Sequence, residues 1–239
     1  MEVVRLFMEH FPGAAEQVNK NGAFPLHLAC LYQAPLETVK FRIKQFPYAI
    51  KERDNDGDFP LHCACCSAYP PLELVQFLYE QFPDAIKEGN GKGNTPLHHA
   101  CAGKTGADVI QFLVRKFPDA TKTTNTFGDL LLRLAFLYEP PLEAVRALVE
   151  QYPDAIKEAN STDVLPLHTV CCNNASLEVL RFLTEQYPAA LKKTNDDGDL
   201  PLHCAACNQA PSEVIQFLID QFPDAINKTD LEMMSPTAR

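Results

Sequence analysis

Residues 54–88 read DNDGDFPLHCACCSAYPPLELVQFLYEQFPDAIKE, and the same pattern returns about every 35 residues along the chain. Two markers repeat in step. The tripeptide Pro-Leu-His begins at Pro25, Pro60, Pro96, Pro166 and Pro201. An aromatic residue followed by proline begins at Phe46, Phe82, Phe117, Tyr152, Tyr187 and Phe222. A period in this range predicts a solenoid, in which each unit buries its apolar face only against its neighbours.

The quoted stretch also predicts the structure of one unit. Residues 54–58 are rich in turn formers, and they predict a hairpin-like tip. Pro60 suits the first turn of a short helix, where its missing N–H costs nothing. Pro70-Pro71 ends that helix and opens a longer second helix, which Pro83 stops. We expect residues 85–87 to run extended into the next turn.

The repeat predicts an all-α fold, an α-solenoid of helix-turn-helix units joined by short β-hairpin-like turns. We expect residues 1–239 to form a single array, with a partial repeat at 1–18, six repeats over about 19–228 and a partial repeat at 229–239. Because both ends cut through a repeat, we expect either a fragment of a longer array or end-to-end self-association.

Two positions depart from the repeat. Leu131-Leu132-Arg133 stands where the fourth copy of Pro-Leu-His is due, so the helix start there is expected to differ. Arg42 occupies a position that is leucine in the later repeats, so we expect the first full repeat either to be imperfectly packed or to end in solvent.

Composition limits the classes of partner. The formal net charge of −10 disfavours non-specific binding to nucleic acid. No apolar run approaches the ~20 residues that a membrane span needs, so no membrane insertion is expected. The nine cysteines include an equivalent set three residues after the repeat histidine, at Cys30, Cys65, Cys101 and Cys171. This regular spacing favours free thiols and an intracellular, cytoplasmic location, with the nucleus left open.

Three patterns resemble sites of chemistry. The His-x-x-Cys pairs have ligand types that zinc takes, but they are spread along the array instead of converging on one point. The acidic tips at 54–58 and 195–199 lack the glutamate that ends a twelve-residue calcium loop. No nucleophile, base and orienter can be assembled from the sequence. We therefore predict no catalysis, no cofactor and no metal.

The turn, Pro-Leu-His and paired helices together resemble the ankyrin repeat. The segment Thr95-Pro96-Leu97-His98-His99-Ala100 comes closest to that family's Thr-Pro-Leu-His-x-Ala signature. Other repeats have Phe or Leu in place of Thr95, and the unit is two residues longer than the family's 33. The rival interpretation is a tetratricopeptide or pentatricopeptide array, but a pure helix-turn-helix array does not need the glycine-centred turns.

The ankyrin resemblance implies that partners are held by the tips and by the exposed end of each first helix. Carried over by position, the candidate partner-binding residues are Tyr32, Asn55, Asp56, Asp58, Lys92, Asn94, Phe127, Asp129, Tyr138, Asn173, Asp196, Asp197, Asp199 and Asn208. Tyr32, Phe127 and Tyr138 are of the aromatic type enriched in binding hot spots. The acidic tips suggest a basic or mixed-charge partner segment.

The function that follows is a non-catalytic protein–protein interaction scaffold, binding through the tips and first helices of a concave surface. Two alternatives stay open from the residues alone. One is a structural spacer within a larger multidomain protein, and the other is a metal- or redox-responsive protein that uses its cysteine- and histidine-rich first helices.

Overall fold

A computed structural model describes residues 17–126, 128, 130–160, 162–173 and 176–228. These residues form twelve α-helices in six pairs. The short first helices are α1 (Pro25–Leu31), α3 (Pro60–Cys66), α5 (Pro96–Cys101), α7 (Leu131–Ala135), α9 (Pro166–Cys172) and α11 (Pro201–Cys207). The second helices are α2 (Leu36–Gln45), α4 (Leu72–Gln81), α6 (Ala107–Lys116), α8 (Leu142–Gln151), α10 (Leu177–Gln186) and α12 (Ser212–Gln221). The expectation of an all-α solenoid of helix pairs is confirmed.

The chain divides into two compact units, with the boundary between Leu131 and Leu132. In the first unit α1 packs against α3, and α3 packs against α5; in the second, α9 packs against α11. Within the described ranges the only β pairing is an isolated bridge between Thr124 and Leu130, so the predicted hairpin-like turns form without strands. Every helix of the described residues is too short to span a bilayer. That the full chain forms a single array stays a prediction.

The first helices begin where proline places them. Proline is the first or second helical residue of α1, α3, α5, α9 and α11, where its missing N–H leaves no bond unmade. The residue before it is extended in each case, as a pre-proline residue prefers. In the fourth repeat Leu131 replaces the proline, and α7 is only five residues long before it continues as a 3₁₀ turn, Phe136–Tyr138. The helix thus begins at the position equivalent to the proline and differs in its length, while a difference at the helix start itself stays a prediction.

The second helices end at the aromatic-proline pair. Phe82, for example, has φ −149° and ψ 82°, outside the helical region, because the following proline excludes the α conformation. The chain then turns through a short 3₁₀ helix, Pro83–Ile86, and five equivalent segments do the same: Pro47–Lys51, Pro118–Lys122, Pro153–Ile156, Pro188–Lys192 and Pro223–Lys228. The expectation that residues 85–87 run extended is wrong. The 3₁₀ turn instead buries Ala85 and Ile86 against the core.

Equivalent apolar residues of the second helices form the core. The seventh residue of each second helix is buried leucine in five repeats, at Leu78, Leu113, Leu148, Leu183 and Leu218. In α2 the same position is Arg42, which is half-buried, and its Nε lies buried without a hydrogen-bond partner among the described residues. Burial lowers the pKa of the Arg42 guanidinium. The predicted packing defect of the first full repeat therefore lies at a cation placed in a leucine position.

The repeat histidines His27, His62 and His168 each join their repeat to the next one. The Nδ1 of each accepts a hydrogen bond from the backbone N–H three residues earlier, at 3.2 Å from Phe59 to His62 and from Leu165 to His168. The Nε2 of each reaches a carbonyl of the following repeat, at 2.9 Å from His62 to Glu88 and 3.1 Å from His168 to Lys193.

These partners determine the protonation of the ring. A backbone N–H can only donate and a carbonyl can only accept, so the imidazole is neutral and carries its proton on Nε2. Burial and the neighbouring His99 lower the pKa of His62 to about 4, and burial also lowers the pKa of His27 and His168. At a pH between the lowered pKa of a histidine in the folded state and its ordinary pKa in the unfolded state, the folded protein binds fewer protons than the unfolded chain. Stability therefore falls as the pH is lowered through this range.

We predict that His62→Gln destabilises the protein at pH 7 and also reduces its sensitivity to acid. Glutamine reproduces the two bonds imperfectly, which should cost about 1–3 kcal/mol. The His62 contribution is present above pH 6.5 and is lost as pH falls toward 4, by roughly 3 kcal/mol in total, and a glutamine cannot titrate. Urea unfolding at pH 7 and pH 4.5 measures both effects.

His203→Gln is the matched control, because the Nε2 of His203 has no hydrogen-bond partner among the described residues. It should cost less than His62→Gln at pH 7. Equal losses for the two variants would contradict the assignment of the inter-repeat bond.

Candidate functional site

Each tip is shaped by the side chain of its first residue. The Oδ1 of Asp54 accepts the backbone N–H of Asp56 at 3.0 Å and of Asp58 at 2.9 Å. Asn19, Asn90 and Asn160 accept the same two bonds in their own repeats. Such an Asx turn holds the tip in one conformation without a strand to support it. The tips are therefore preformed surface features.

Backbone hydrogen bonds also connect consecutive tips. In the first unit the bonds run from Asn55 N to Asn21 O at 3.0 Å, from Gly91 N to Asp56 O at 2.8 Å and from Thr126 N to Lys92 O at 3.0 Å. In the second unit Asp196 N donates to Thr162 O at 3.2 Å. These bonds fix the spacing between tips within each unit, so a bound chain would meet a regular row of side chains.

The candidate tip residues divide into exposed and half-buried sets. Asn55, Asp56, Lys92, Asp196 and Asp197 are exposed and available to a partner. The half-buried set is Asp58, Asn94 and Asp199. Phe127 and Asp129, also candidates, lie outside the described residues.

The candidate helix-end residues also differ in exposure. Tyr32 is 76% exposed and Tyr138 is 50% exposed, so two of the three predicted aromatic anchors lie in solvent. Asn173 is half-buried. Asn208 is exposed, and its amide donates to the carbonyl of Cys204 at 2.9 Å.

Sequence reasoning missed a third exposed aromatic residue, Tyr69. It is 70% exposed and has a φ of +55°, a left-handed conformation that is strained for a tyrosine. Its backbone N–H donates to the carbonyl of Lys104 at 3.0 Å, and the Gln33 side chain donates to the carbonyl of Ala68. These bonds link neighbouring loops of the first unit, so Tyr32 and Tyr69 follow the ends of consecutive first helices. The feature of the sequence that could have indicated an exposed Tyr69 is its position directly before the double proline Pro70-Pro71.

The tips of the second unit are acidic. Partial desolvation and the carboxylates of Asp163 and Asp197 raise the pKa of Asp196. Carboxylates that repel one another in this way would be stabilised by a cation from a partner.

A second cluster in the first unit combines groups from two repeats. The Nε2 of His99, in α5, lies 3.2 Å from Asp58 Oδ1. The amide of Asn90 donates to the same oxygen at 2.8 Å. Burial alone would lower the pKa of His99, but hydrogen bonds to Asp58 and to the thiol of Cys66 outweigh it and raise that pKa to about 9. The sequence signal was the second histidine of Pro96-Leu97-His98-His99, which the repeat pattern does not account for.

The His-x-x-Cys pairs do not present metal ligands. Both ring nitrogens of His27, His62 and His168 are already hydrogen-bonded to backbone groups, which leaves no lone pair for an ion. Among the described residues Asp54, Asp58 and Cys63 bring one ligand atom each within 4.8 Å of the others. Burial raises the pKa of the Cys63 thiol, and Asp58 is already bonded to Asn90 and His99. This donor set fits a metal ion poorly, because a thiol must lose its proton to bind one.

Comparisons with known proteins agree with the repeat geometry. The family model for ankyrin repeats, in three copies, matches residues 33–126 and again residues 131–230. The chain therefore belongs to the ankyrin repeat family, whose repeats serve as interaction modules.

No protein with a curated function matches the chain. Among solved structures it is similar to a chain of the complex between the predatory endopeptidase Bd0816 from Bdellovibrio bacteriovorus and the immunity protein Bd3460. The two are 22% identical with a TM-score of 0.66, over 84% of this chain and 99% of that chain. At this identity the likeness shows the fold alone.

Two glycines test whether the bonds between tips stabilise the surface. Gly57 and Gly198 both have φ +82°, which strains any other residue. A Cβ on Gly57 would lie 2.7 Å from Gly91 N, whereas one on Gly198 meets no described atom within 4 Å. We predict that Gly198→Ala costs about 1 kcal/mol from the backbone strain alone. Gly57→Ala should cost about 3 kcal/mol, because it also breaks the Gly91–Asp56 bond.

Chemical denaturation of the two variants gives the difference directly. Amide hydrogen exchange at Gly91 should accelerate in Gly57→Ala and stay unchanged in Gly198→Ala. Equal costs for both substitutions would show that the bond between the tips contributes no stability.

Proposed function

We propose that this protein is a non-catalytic scaffold that binds protein partners through its exposed tips and the ends of its first helices. Membership of the ankyrin repeat family supports binding as the general activity. The observation that carries the finer proposal is the pair Tyr32 and Tyr69, held in solvent on neighbouring loops by hydrogen bonds between repeats.

Large aromatic side chains on fixed loops suit binding for an energetic reason. Tyrosine buries a large area on contact and loses little conformational entropy, because it has few rotatable bonds. The bonds from Tyr69 to Lys104 and from Gln33 to Ala68 keep the loop backbone ordered before a partner arrives. A preordered loop loses less conformational entropy on binding. In the second unit Tyr138 supplies an aromatic residue at the equivalent end of a first helix.

The acidic tips of the second unit favour a basic partner segment. Asp163, Asp196 and Asp197 are exposed, and the carboxylates of Asp163 and Asp197 contribute to the raised pKa of Asp196. Arginine or lysine from a partner would relieve this repulsion and accelerate association. In the first unit the tips carry both positive and negative charges, because the tips with Lys20 and Lys92 lie on either side of the tip with Asp56.

The proposal places the protein inside the cell. All nine cysteines are free. The four that lie three residues after a repeat histidine are buried in the core, namely Cys30, Cys65, Cys101 and Cys171. Unpaired thiols are typical of proteins from a reducing compartment.

Affinity purification with quantitative mass spectrometry tests the proposal. The bait is the full chain, and the variants are Tyr32→Ala with Tyr69→Ala, and Asp196→Lys with Asp197→Lys. We expect the tyrosine pair to deplete specific partners by at least about tenfold, as loss of hot-spot side chains does. The charge reversal should deplete basic partners, and their recovery from wild type should fall as salt is raised.

Matched controls lie outside the tips and the ends of the first helices. Glu150→Lys with Glu185→Lys makes the same change in net charge at exposed positions outside the tips, and Tyr48→Ala removes an aromatic residue that is 71% exposed on a 3₁₀ turn. Partner recovery that is unaffected by both test variants would remove these residues from the site and favour a passive spacer.

A further inference from the structure

Two arginines of the second unit lie over aromatic rings of the following repeat. Arg146, the fifth residue of α8, places its guanidinium carbon 4.6 Å from the ring centre of Phe182 in α10. Arg181, the equivalent residue of α10, places its own guanidinium carbon 4.8 Å from the ring centre of Phe217 in α12. The attraction between a cation and an aromatic face favours this arrangement. Each guanidinium is thereby held against the neighbouring helix.

This arrangement leaves the hydrogen-bonding capacity of both arginines unused. Arg146 and Arg181 are exposed, and neither forms a hydrogen bond or an ion pair within the part of the chain that the structure describes. Glutamates that are neighbours on the helix surface stand three residues before and four residues after each arginine, namely Glu143, Glu150, Glu178 and Glu185. Because the guanidiniums lie over the rings instead, their planar sets of N–H donors, which suit carboxylates, remain available to a ligand.

The exposed charges of α8 and α10 form three rows across these two helices, which pack against each other. The arginines form the central row, and the glutamates form a row on each side of it, about one helical turn away. Packed helices lie about 8–10 Å apart, so equivalent side chains on them are separated by a similar distance. A matching ligand therefore has two carboxylates at that separation, with cations beside them to face the glutamates.

We propose that the second helices of the second unit bind an acidic helical segment of another protein, with Arg146 and Arg181 as the anchoring residues. Residues seven positions apart on an α-helix lie on one face and are separated by about 10.5 Å, so two glutamates at that spacing reach both arginines. Basic residues beside these glutamates meet the outer rows of carboxylates. The surface lies on the second helices, so it is separate from the tips and first-helix ends of the proposed function.

The pattern of charges favours a helical protein segment over a nucleic acid. Phosphates placed on the arginines would also face the rows of glutamates, without cations of their own to compensate. The net charge of −10 adds to that repulsion. A helix presents carboxylates and cations on one surface, so it can match all three rows at once.

Designed peptides test the proposal. The probe is an alanine-based helical peptide with two glutamates at positions i and i+7 and lysines on both sides of them, and the reference peptide exchanges the glutamates and lysines. Fluorescence anisotropy with the full chain at pH 7 and low ionic strength measures both affinities. We expect the probe to bind at least about tenfold more tightly than the reference, and its affinity to fall as salt is added. Equal affinities for the two peptides would overturn the proposal.

Arg146→Gln combined with Arg181→Gln assigns binding to the two arginines. The variant is compatible with the fold, because glutamine occupies the equivalent position of other second helices, at Gln76, Gln111 and Gln216. The affinity for the probe should fall by at least about tenfold. A folded double variant, as judged by circular dichroism, that binds the probe as tightly as wild type would exclude the arginines as anchors.

The matched control is Lys44→Gln combined with Arg115→Gln. It removes the same charge from exposed positions on second helices of the first unit, so the affinity for the probe should change by less than about twofold. Arg146→Lys combined with Arg181→Lys keeps the charge but loses the planar donor set, and we expect an intermediate affinity. A control that weakens binding as much as the glutamine pair would reduce the effect to net charge and overturn the proposal.

The same rows of charge could also meet those of a second copy of this chain, because arginine on one copy can face glutamate on the other. Sedimentation velocity of the wild-type protein and of Arg146→Gln with Arg181→Gln distinguishes the two occupants. We expect both proteins to have the same oligomeric state. A dimer that only the wild-type protein forms would assign this face to self-association and overturn the proposal of a separate acidic helix.

Discussion

The described structure depends most on the neutral imidazole that bonds one repeat to the next. The repeat histidine accepts a bond from its own helix start and donates one to a carbonyl about 25 residues further along, as from His62 to Glu88 and from His168 to Lys193. The bond to the N–H is buried and the bond to the carbonyl is partly buried, so leaving either backbone group unpaired is costly. A single unit cannot supply its own acceptor, so its stability depends on the neighbour. This dependence gives a physical reason for a histidine at the same position of successive repeats.

The same bond decides which residues are free for function. The ring nitrogens of His27, His62 and His168 are used for the connection between repeats, so these histidines have no capacity left to bind a metal or transfer a proton. The positions that the repeat leaves variable are the tips and the ends of the first helices, which is where the proposed partner-binding residues Tyr32 and Tyr69 lie.

Much of the architecture could be predicted from sequence because its causes are local. Pro60 and Pro83 determine where helices begin and end through their own backbone restriction, and Asp54 and Gly57 determine the tip through bonds within five residues. The extended course expected for residues 85–87 was wrong because burial of Ala85 and Ile86 in the core requires a 3₁₀ turn. Composition and proline placement carry no signal for that requirement.

The candidate site was harder to predict because its contacts join repeats. The exposure of Tyr32 and Tyr138 followed from their position in the unit, but that of Tyr69 depends on a left-handed backbone and on a bond to Lys104 in the next repeat. Asp58 was expected to contact a partner as a tip residue, whereas it is half-buried and bonded to His99 across the repeat boundary. Neither the bond between Tyr69 and Lys104 nor the contact between Asp58 and His99 can be predicted from the spacing of residues within one repeat.

One pair of positions brings titratable side chains of consecutive repeats together in both units. The fourth residue after the repeat histidine in one repeat contacts the first residue after it in the next. In the first unit this pair is Cys66 and His99; in the second it is Cys172 and Cys204, where a hydrogen bond from Cys204 lowers the pKa of Cys172 to about 7. The pKa of Cys172 thus depends on the side chain that the following repeat places against it. Removing the thiol of Cys204 would raise the pKa of Cys172, because the hydrogen bond that favours the thiolate would be lost.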